Sequence, residues 1–130
     1  MNRNDLEKRL RELGIYSDFY YRRELKALVQ LLQEGEELNC ILTGVHEAAR
    51  KMLAVTDRRL LVIFAGALSA GEITVIPREK LADWSFEKKL LFSSVCITTV
   101  DGATFTFTNT QGSLKALFEW AMQRLRPNDT

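Results

Sequence analysis

The sequence predicts a mainly β, α+β domain: an antiparallel barrel or sandwich that follows two amphipathic helices and is closed by a third. Three observations predict it. Between Leu38 and Thr108 strand-like runs alternate with turn signals, and no convincing helical period appears. The stretch from Lys51 to Phe64 holds two apolar segments about a polar Thr56-Asp57-Arg58-Arg59 turn, the pattern of a hairpin. On either side of this block, apolar residues recur at helical spacing instead. At 130 residues and 46% hydrophobic content, the chain is one ordinary domain, long enough to bury about two-thirds of its unfolded surface without disulfide or metal staples.

The elements follow in order. Asn4 is the expected cap of the first helix, with Glu7 in the capping-box position, and Leu6, Leu10 and Leu13 form a stripe that ends at Gly14. Ser17 or Asp18 is expected to cap a second helix with Tyr21, Leu25, Leu28, Val29 and Leu32 on one face, stopped at Gly35. Residues 1–35 thus read as a helical hairpin packed on a barrel formed by residues 36–130, the whole making a single compact domain. Tyr16, Phe19, Tyr20 and Tyr21 cluster aromatic rings at the start of the second helix and are candidates for an interface.

Leu38 to Gly44 reads as the first strand, and the Lys51 to Phe64 hairpin supplies two more, with Asp57 accepting N–H groups in its turn. Glu72 to Ile76 is a fourth strand, closed by Pro77, which cannot donate to a ladder. In Ala82 to Glu87, Trp84 and Phe86 share one face while Asp83, Ser85 and Glu87 share the other. Ser94 to Val100 and Ala103 to Thr108 meet at Asp101-Gly102, which suits a two-residue hairpin turn. Phe105 and Phe107 then face inward and Thr104, Thr106 and Thr108 outward, and this lysine-poor hairpin is expected to be an exposed edge. Thr110 or Ser113 is expected to cap the last helix, whose stripe is Leu114, Leu117, Phe118, Ala121 and Leu125. Arg124 and Arg126 complement its dipole before Pro127 ends it, and it should plug an open end of the barrel with Trp120 at the margin.

Charge and motifs narrow the function. Eighteen Lys plus Arg against seventeen Asp plus Glu give a formal charge of +1, and no basic stripe with interleaved aromatics occurs, so nucleic acid is not an expected partner. The amino-terminal stretch has no signal-peptide apolar core, and no segment approaches the roughly 20 apolar residues of a membrane span. A cytoplasmic protein is expected. Cys40 and Cys96 lack metal-ligand spacing and read as reduced, buried small hydrophobes. The single histidine, His46, is expected in a solvent-facing loop, and Asp83 and Glu87 on an outward strand face. Without a nucleophile elbow, phosphate loop, HExxH helix or CxxC pair, neither catalysis nor a cofactor or metal is expected. Binding is the remaining class. Arg50, Lys51, Arg58 and Arg59 are expected to be gathered by the hairpin and its preceding loop into an anion patch for an acidic ligand or an anionic lipid head group.

Leu31 to Glu37, the Gly44-containing strand, Leu53 to Val62, Ile76-Pro77 and the final amphipathic helix together resemble the bacterial pleckstrin-homology-like domains, in particular the YokE-like subfamily. The resemblance runs from about Leu25 to Leu125, its most specific pieces being Gly35-Glu36 and the Thr56 to Leu61 turn. It implies a seven-stranded open barrel of two nearly orthogonal antiparallel sheets, capped by the carboxyl-terminal helix. Where phosphoinositide-binding eukaryotic relatives carry a basic cluster across the first strand and its loop, the strand Asn39 to Thr43 has no lysine or arginine. The expected role is a non-catalytic binding or scaffold module acting on an unknown protein partner or on a second copy, with weak contact to an anionic membrane as the alternative.

Overall fold

Strands in the amino-terminal half of the sheet are apolar on both faces, so they must be covered twice, and the chain is arranged to do so. The computed structural model describes residues 1–64 and 72–125. Its elements are α1 (Arg3–Glu12), α2 (Tyr16–Phe19), α3 (Glu24–Leu31), β1 (Leu38–His46), β2 (Ala49–Thr56), β3 (Arg59–Phe64), β4 (Glu72–Pro77), β5 (Leu81–Glu87), β6 (Ser93–Thr99), β7 (Thr104–Thr110) and α4 (Lys115–Arg124). The seven strands form one antiparallel sheet in the order β4-β3-β2-β1-β7-β6-β5. β1 and β7 share a single ladder pair, Val45 with Thr108, so the sheet bends into an open barrel at that seam.

Inside the barrel Leu42, Leu53, Val55, Leu60 and Val62 meet Ile97 and Phe107 from the other half. Phe118 of α4 is the plug: its ring lies 5.6 Å from Trp84 in an edge-to-face contact and 5.7 Å from Phe86. Burying such a ring contributes about 1.5–3 kcal/mol. Trp120 lies at the margin, 40% exposed, with the Arg124 guanidinium 5.0 Å from its ring centroid. On the opposite face, Ile41, Met52, Ala54, Leu61 and Ile63 pack against Leu6, Leu10, Phe19, Leu25 and Leu28 of the helices. A bulge at Asn39 shifts the β1 register, so Leu38 faces the helices while Cys40, two residues on, faces the barrel.

Gly44 makes the seam possible. A Cβ on it would stand 2.8 Å from Thr110 Cγ2 and 2.9 Å from the Thr108 carbonyl, closer than packed atoms come. His46 crosses the same seam as a buried strand residue, not in a solvent-facing loop. Its ring lies 5.2 Å from Phe107 and 5.6 Å from Phe105, and Nδ1 is 3.1 Å from the Thr106 carbonyl. The β1–β2 turn beyond it holds Glu47 and Ala48 at φ 51° and 63°, a two-residue loop without the glycine such turns favour.

Several local expectations change in the folded chain. The amino-terminal helices number three, because Phe19 and Leu25 are six residues apart, about 240° around a helix, and a continuous helix could not bury both. The chain breaks between them, and Tyr21, expected on the buried face, is 63% exposed. Asn2 caps α1 in place of Asn4 by accepting Asp5 N–H at 2.8 Å, and Glu7 pairs with Arg3. α4 has no side-chain cap; a 3-10 turn at Gly112–Leu114 leads into it. Asn109, at φ 56°, bulges β7 opposite Ser93 and Ser94. The β6–β7 loop has three residues between the paired Thr99 and Ala103, with Gly102 at φ 90°, and Thr99 hydrogen-bonds the Asp101 carboxylate. That hydrogen bond, ahead of the Ala103 N–H, lowers the Asp101 pKa. The β6–β7 hairpin is interior to the sheet; the edges are β4 and β5. Arg126 and Pro127 lie outside the described residues.

Two outcomes are expected. A chain starting at Glu36 should expose the Ile41, Met52 and Ile63 face and aggregate on purification, which size-exclusion chromatography measures. In native protein a maleimide should modify half-buried Cys96 quickly and Cys40 only on unfolding, since burial pushes the Cys40 thiol pKa up; equal rates by mass spectrometry would contradict the packing.

Candidate functional site

The basic residues of the β2–β3 hairpin do not converge. Arg50 and Lys51 stand at the start of β2 and Arg58 and Arg59 beyond its end, roughly 20 Å away at about 3.3 Å per residue. Strand alternation also parts the first two: Arg50 has the parity of Met52, which faces the helices, and Lys51 that of Leu53, which faces the barrel. The expected four-residue anion patch is therefore not assembled.

Arg59 has a structural partner instead. Its Nε and Nη2 each donate to the Glu36 carboxylate at 2.9 Å, and Nη2 also donates to the Leu31 carbonyl at 2.7 Å. The Glu36 side chain is fully buried and further accepts from Thr56 Oγ1 at 2.7 Å and Gln33 N at 3.0 Å. Thr56 Oγ1 in turn accepts the Arg58 and Arg59 N–H groups, so Thr56 closes the hairpin turn. Asp57, expected in that role, accepts Glu37 N–H at 3.0 Å. Burial alone would raise the Glu36 pKa, but the Arg59 hydrogen bond, aided by Gln33 and Thr56, outweighs it and holds the carboxyl below its ordinary value. Arg58 lies on the surface, donating to Gln33 Oε1 and the Glu34 carbonyl.

Arg50 belongs to a different group of residues. Together with Tyr21, Arg22, Arg23 and Glu24 from the α2–α3 junction and Ala49 and Phe64 from β2 and β3, it lines a cleft of about 410 Å³. The cleft forms because the helix break turns Tyr21 outward while Leu25 turns into the core. Arg50 is held by a 3.2 Å bond to Thr43 Oγ1, which Gln111 Nε2 also reaches. Arg22 pairs with buried Glu24 at 2.8 Å across the start of α3, its Nε buried without a partner. Among the described side chains, three guanidinium groups and two aromatic rings thus face the one carboxylate already taken by Arg22. Such a set suits a carboxylate-bearing ligand with an apolar portion.

The aromatic candidates also divide. Phe19 is core and Tyr16 packs beside it under the Arg11 guanidinium, 4.1 Å from the ring centroid, so neither offers a free face. Tyr20 stacks on Tyr16 at 5.3 Å and remains 49% exposed, and Tyr21 meets it edge-on at 5.5 Å. The cleft therefore contains one basic and one aromatic residue of the sequence candidates, Arg50 and Tyr21. Arg22 and Arg23 carry no distinguishing signal in the sequence, since charged residues on an amphipathic helix ordinarily form its solvated face.

Residues 32–121 match the family described as Bacterial PH domain. The fold is similar to the crystal structure of a pleckstrin homology domain from Shewanella amazonensis SB2B, with a TM-score of 0.54 and 13% sequence identity over 78% of this chain and 85% of that one. No curated protein matches the chain.

Glu36→Gln is expected to cost about 3 kcal/mol at neutral pH, because it leaves the mostly buried Arg59 uncompensated. A depressed folded-state pKa contributes stability that is complete above the unfolded carboxyl value of about 4.3 and is lost as pH falls through the folded value. The gap between wild type and variant in urea unfolding should therefore narrow in acid; a constant gap would contradict the pairing.

Proposed function

Because the chain belongs to the bacterial PH domain family, a fold of binding modules that are generally not catalysts, we propose that it is a non-catalytic module that docks a protein partner. The cleft between the α2–α3 junction and the open end of the β2–β3 hairpin receives an acidic segment of that partner. One observation carries this reading: Arg22, Arg23 and Arg50 meet Tyr21 and Phe64 around one concavity, while the remaining hairpin arginines are engaged elsewhere. Guanidinium forks recognise carboxylates by paired, charge-assisted bonds, and the two rings supply apolar contact beside them. Exposed Tyr20 extends the same surface, while the β4 edge, with Ile73 and Val75 exposed, offers a strand-addition surface for a second copy.

Within the family we place the chain in the YokE-like subfamily, on the Gly35-Glu36 and Thr56 to Leu61 segments. Two unpaired cysteines suit a reducing, cytoplasmic setting. No described helix is long and apolar enough to cross a membrane.

Fluorescence anisotropy with a labelled peptide rich in glutamate and leucine tests the cleft, with a lysine-rich peptide of equal length as control. Only the acidic peptide should bind, more weakly as salt rises. Arg50→Ala should weaken it roughly tenfold and Arg23→Glu with Arg50→Glu abolish it, each with unchanged melting temperature. Undiminished binding by the double variant would overturn the reading.

A further inference from the structure

We propose that the β5–β6 loop is a tip that inserts into the surface of an anionic bilayer. After β5 ends at Glu87, the chain runs Lys88-Lys89-Leu90-Leu91-Phe92 before β6 begins. Leu90 is 99% exposed, Leu91 81% and Phe92 62%. Three consecutive large apolar residues in water occur nowhere else among the described residues, whose other exposed apolar side chains are single or paired. The core does not need them: the barrel is filled up to Phe86 on one strand and resumes at Val95 on the next.

Shape and charge select the occupant. Adjacent side chains at a loop tip point in different directions, and Leu90, almost wholly exposed, projects into solvent. A protein would need a pocket moulded around the tip. The acyl-chain boundary of a bilayer needs none, since it solvates apolar side chains from every side. Lys88 and Lys89, both exposed, stand at the base of the tip, where their ammonium groups would meet phosphate and carboxylate head groups as the leucines enter. Lys89 also lies 3.3 Å from Glu87, but both side chains are more than 60% exposed, so this surface pair yields to a bilayer at little cost. The Lys88 stem runs over Gly112, its Cγ 3.5 Å from where a Cβ would sit, which ties the base of the loop to the lead-in of α4. This mode uses neither the cleft nor any head-group pocket, and does not rest on the peptide reading above.

The test is cosedimentation of the full chain with phosphatidylcholine vesicles, with or without about one-third phosphatidylglycerol. Wild type should pellet with the anionic vesicles and hardly with the neutral ones. Leu91→Ser and Phe92→Ser should each lower the partition coefficient roughly tenfold, and Leu90→Asp, at the fully exposed position, should lower it at least as much. Lys88→Glu with Lys89→Glu should remove the preference for anionic vesicles. Thermal melts of the three apolar variants should not move, since Leu90, Leu91 and Phe92 lie outside both core clusters. Wild-type protein remaining in the supernatant at low salt, or apolar variants pelleting as wild type does, would overturn the proposal. So would light scattering that finds a wild-type dimer and a Leu90→Asp monomer, which would assign the tip to a contact between copies.

Discussion

The buried pair of Glu36 and Arg59 is the constraint on which the rest of the structure depends. A carboxylate without solvent exposure is tolerable only if its oxygens are fully occupied, and here Arg59, Thr56 and the Gln33 N–H occupy them. The same guanidinium holds the Leu31 carbonyl at the end of α3, so one interaction fixes the hairpin turn, the entry to β1 and the last helical turn before it. Glu37, the next residue, accepts from Arg9 of α1 at 3.2 Å and from Arg124 of α4 at 3.3 Å. Arg9 continues to the Leu38 carbonyl at 2.7 Å and to Asn39 at the bulge. Helices α1 and α4 are thus tied at one carboxylate, Glu37, next in sequence to the buried one.

This arrangement divides the basic residues by role. Arg59 and Arg9 are consumed in holding elements together, while Arg22, Arg23 and Arg50 remain around a cleft at the other end of the hairpin. The division follows from the double burial of β1 to β3. Once helices cover the outer sheet face, polar groups at the strand ends face either the helix–barrel junction or solvent. The barrel interior is filled by aliphatic and aromatic side chains, so the surfaces proposed for recognition, the cleft and the β5–β6 tip, both lie outside it.

Much of the β architecture could be read from local pattern. The alternation in β5 and β7 puts Phe86 and Phe107 inside, and Phe118, Ala121 and Leu125 recur at helical spacing and seal the barrel. The failures share a cause. Asn4, Ser17 and Ser113 were plausible caps, but where a helix begins was decided by which residues had to reach the core. Phe19 and Leu25 broke a helix that propensity alone would have continued. His46 lies beyond the apolar segment of β1, and the strand runs on to it, up to a turn whose residues hold positive φ without glycine.

By itself the sequence determined the strands, their order and the residues that form the barrel wall and its plug, because those depend on periods of two and 3.6 residues within short windows. Only the tertiary structure decided which charges lock elements together and which gather around the cleft. Glu36 finds Arg59 23 positions away, and Arg50 joins Arg22 and Arg23 across the helix–sheet boundary. Such meetings are set by strand register and helix docking, which act over the whole chain and leave no trace in local spacing.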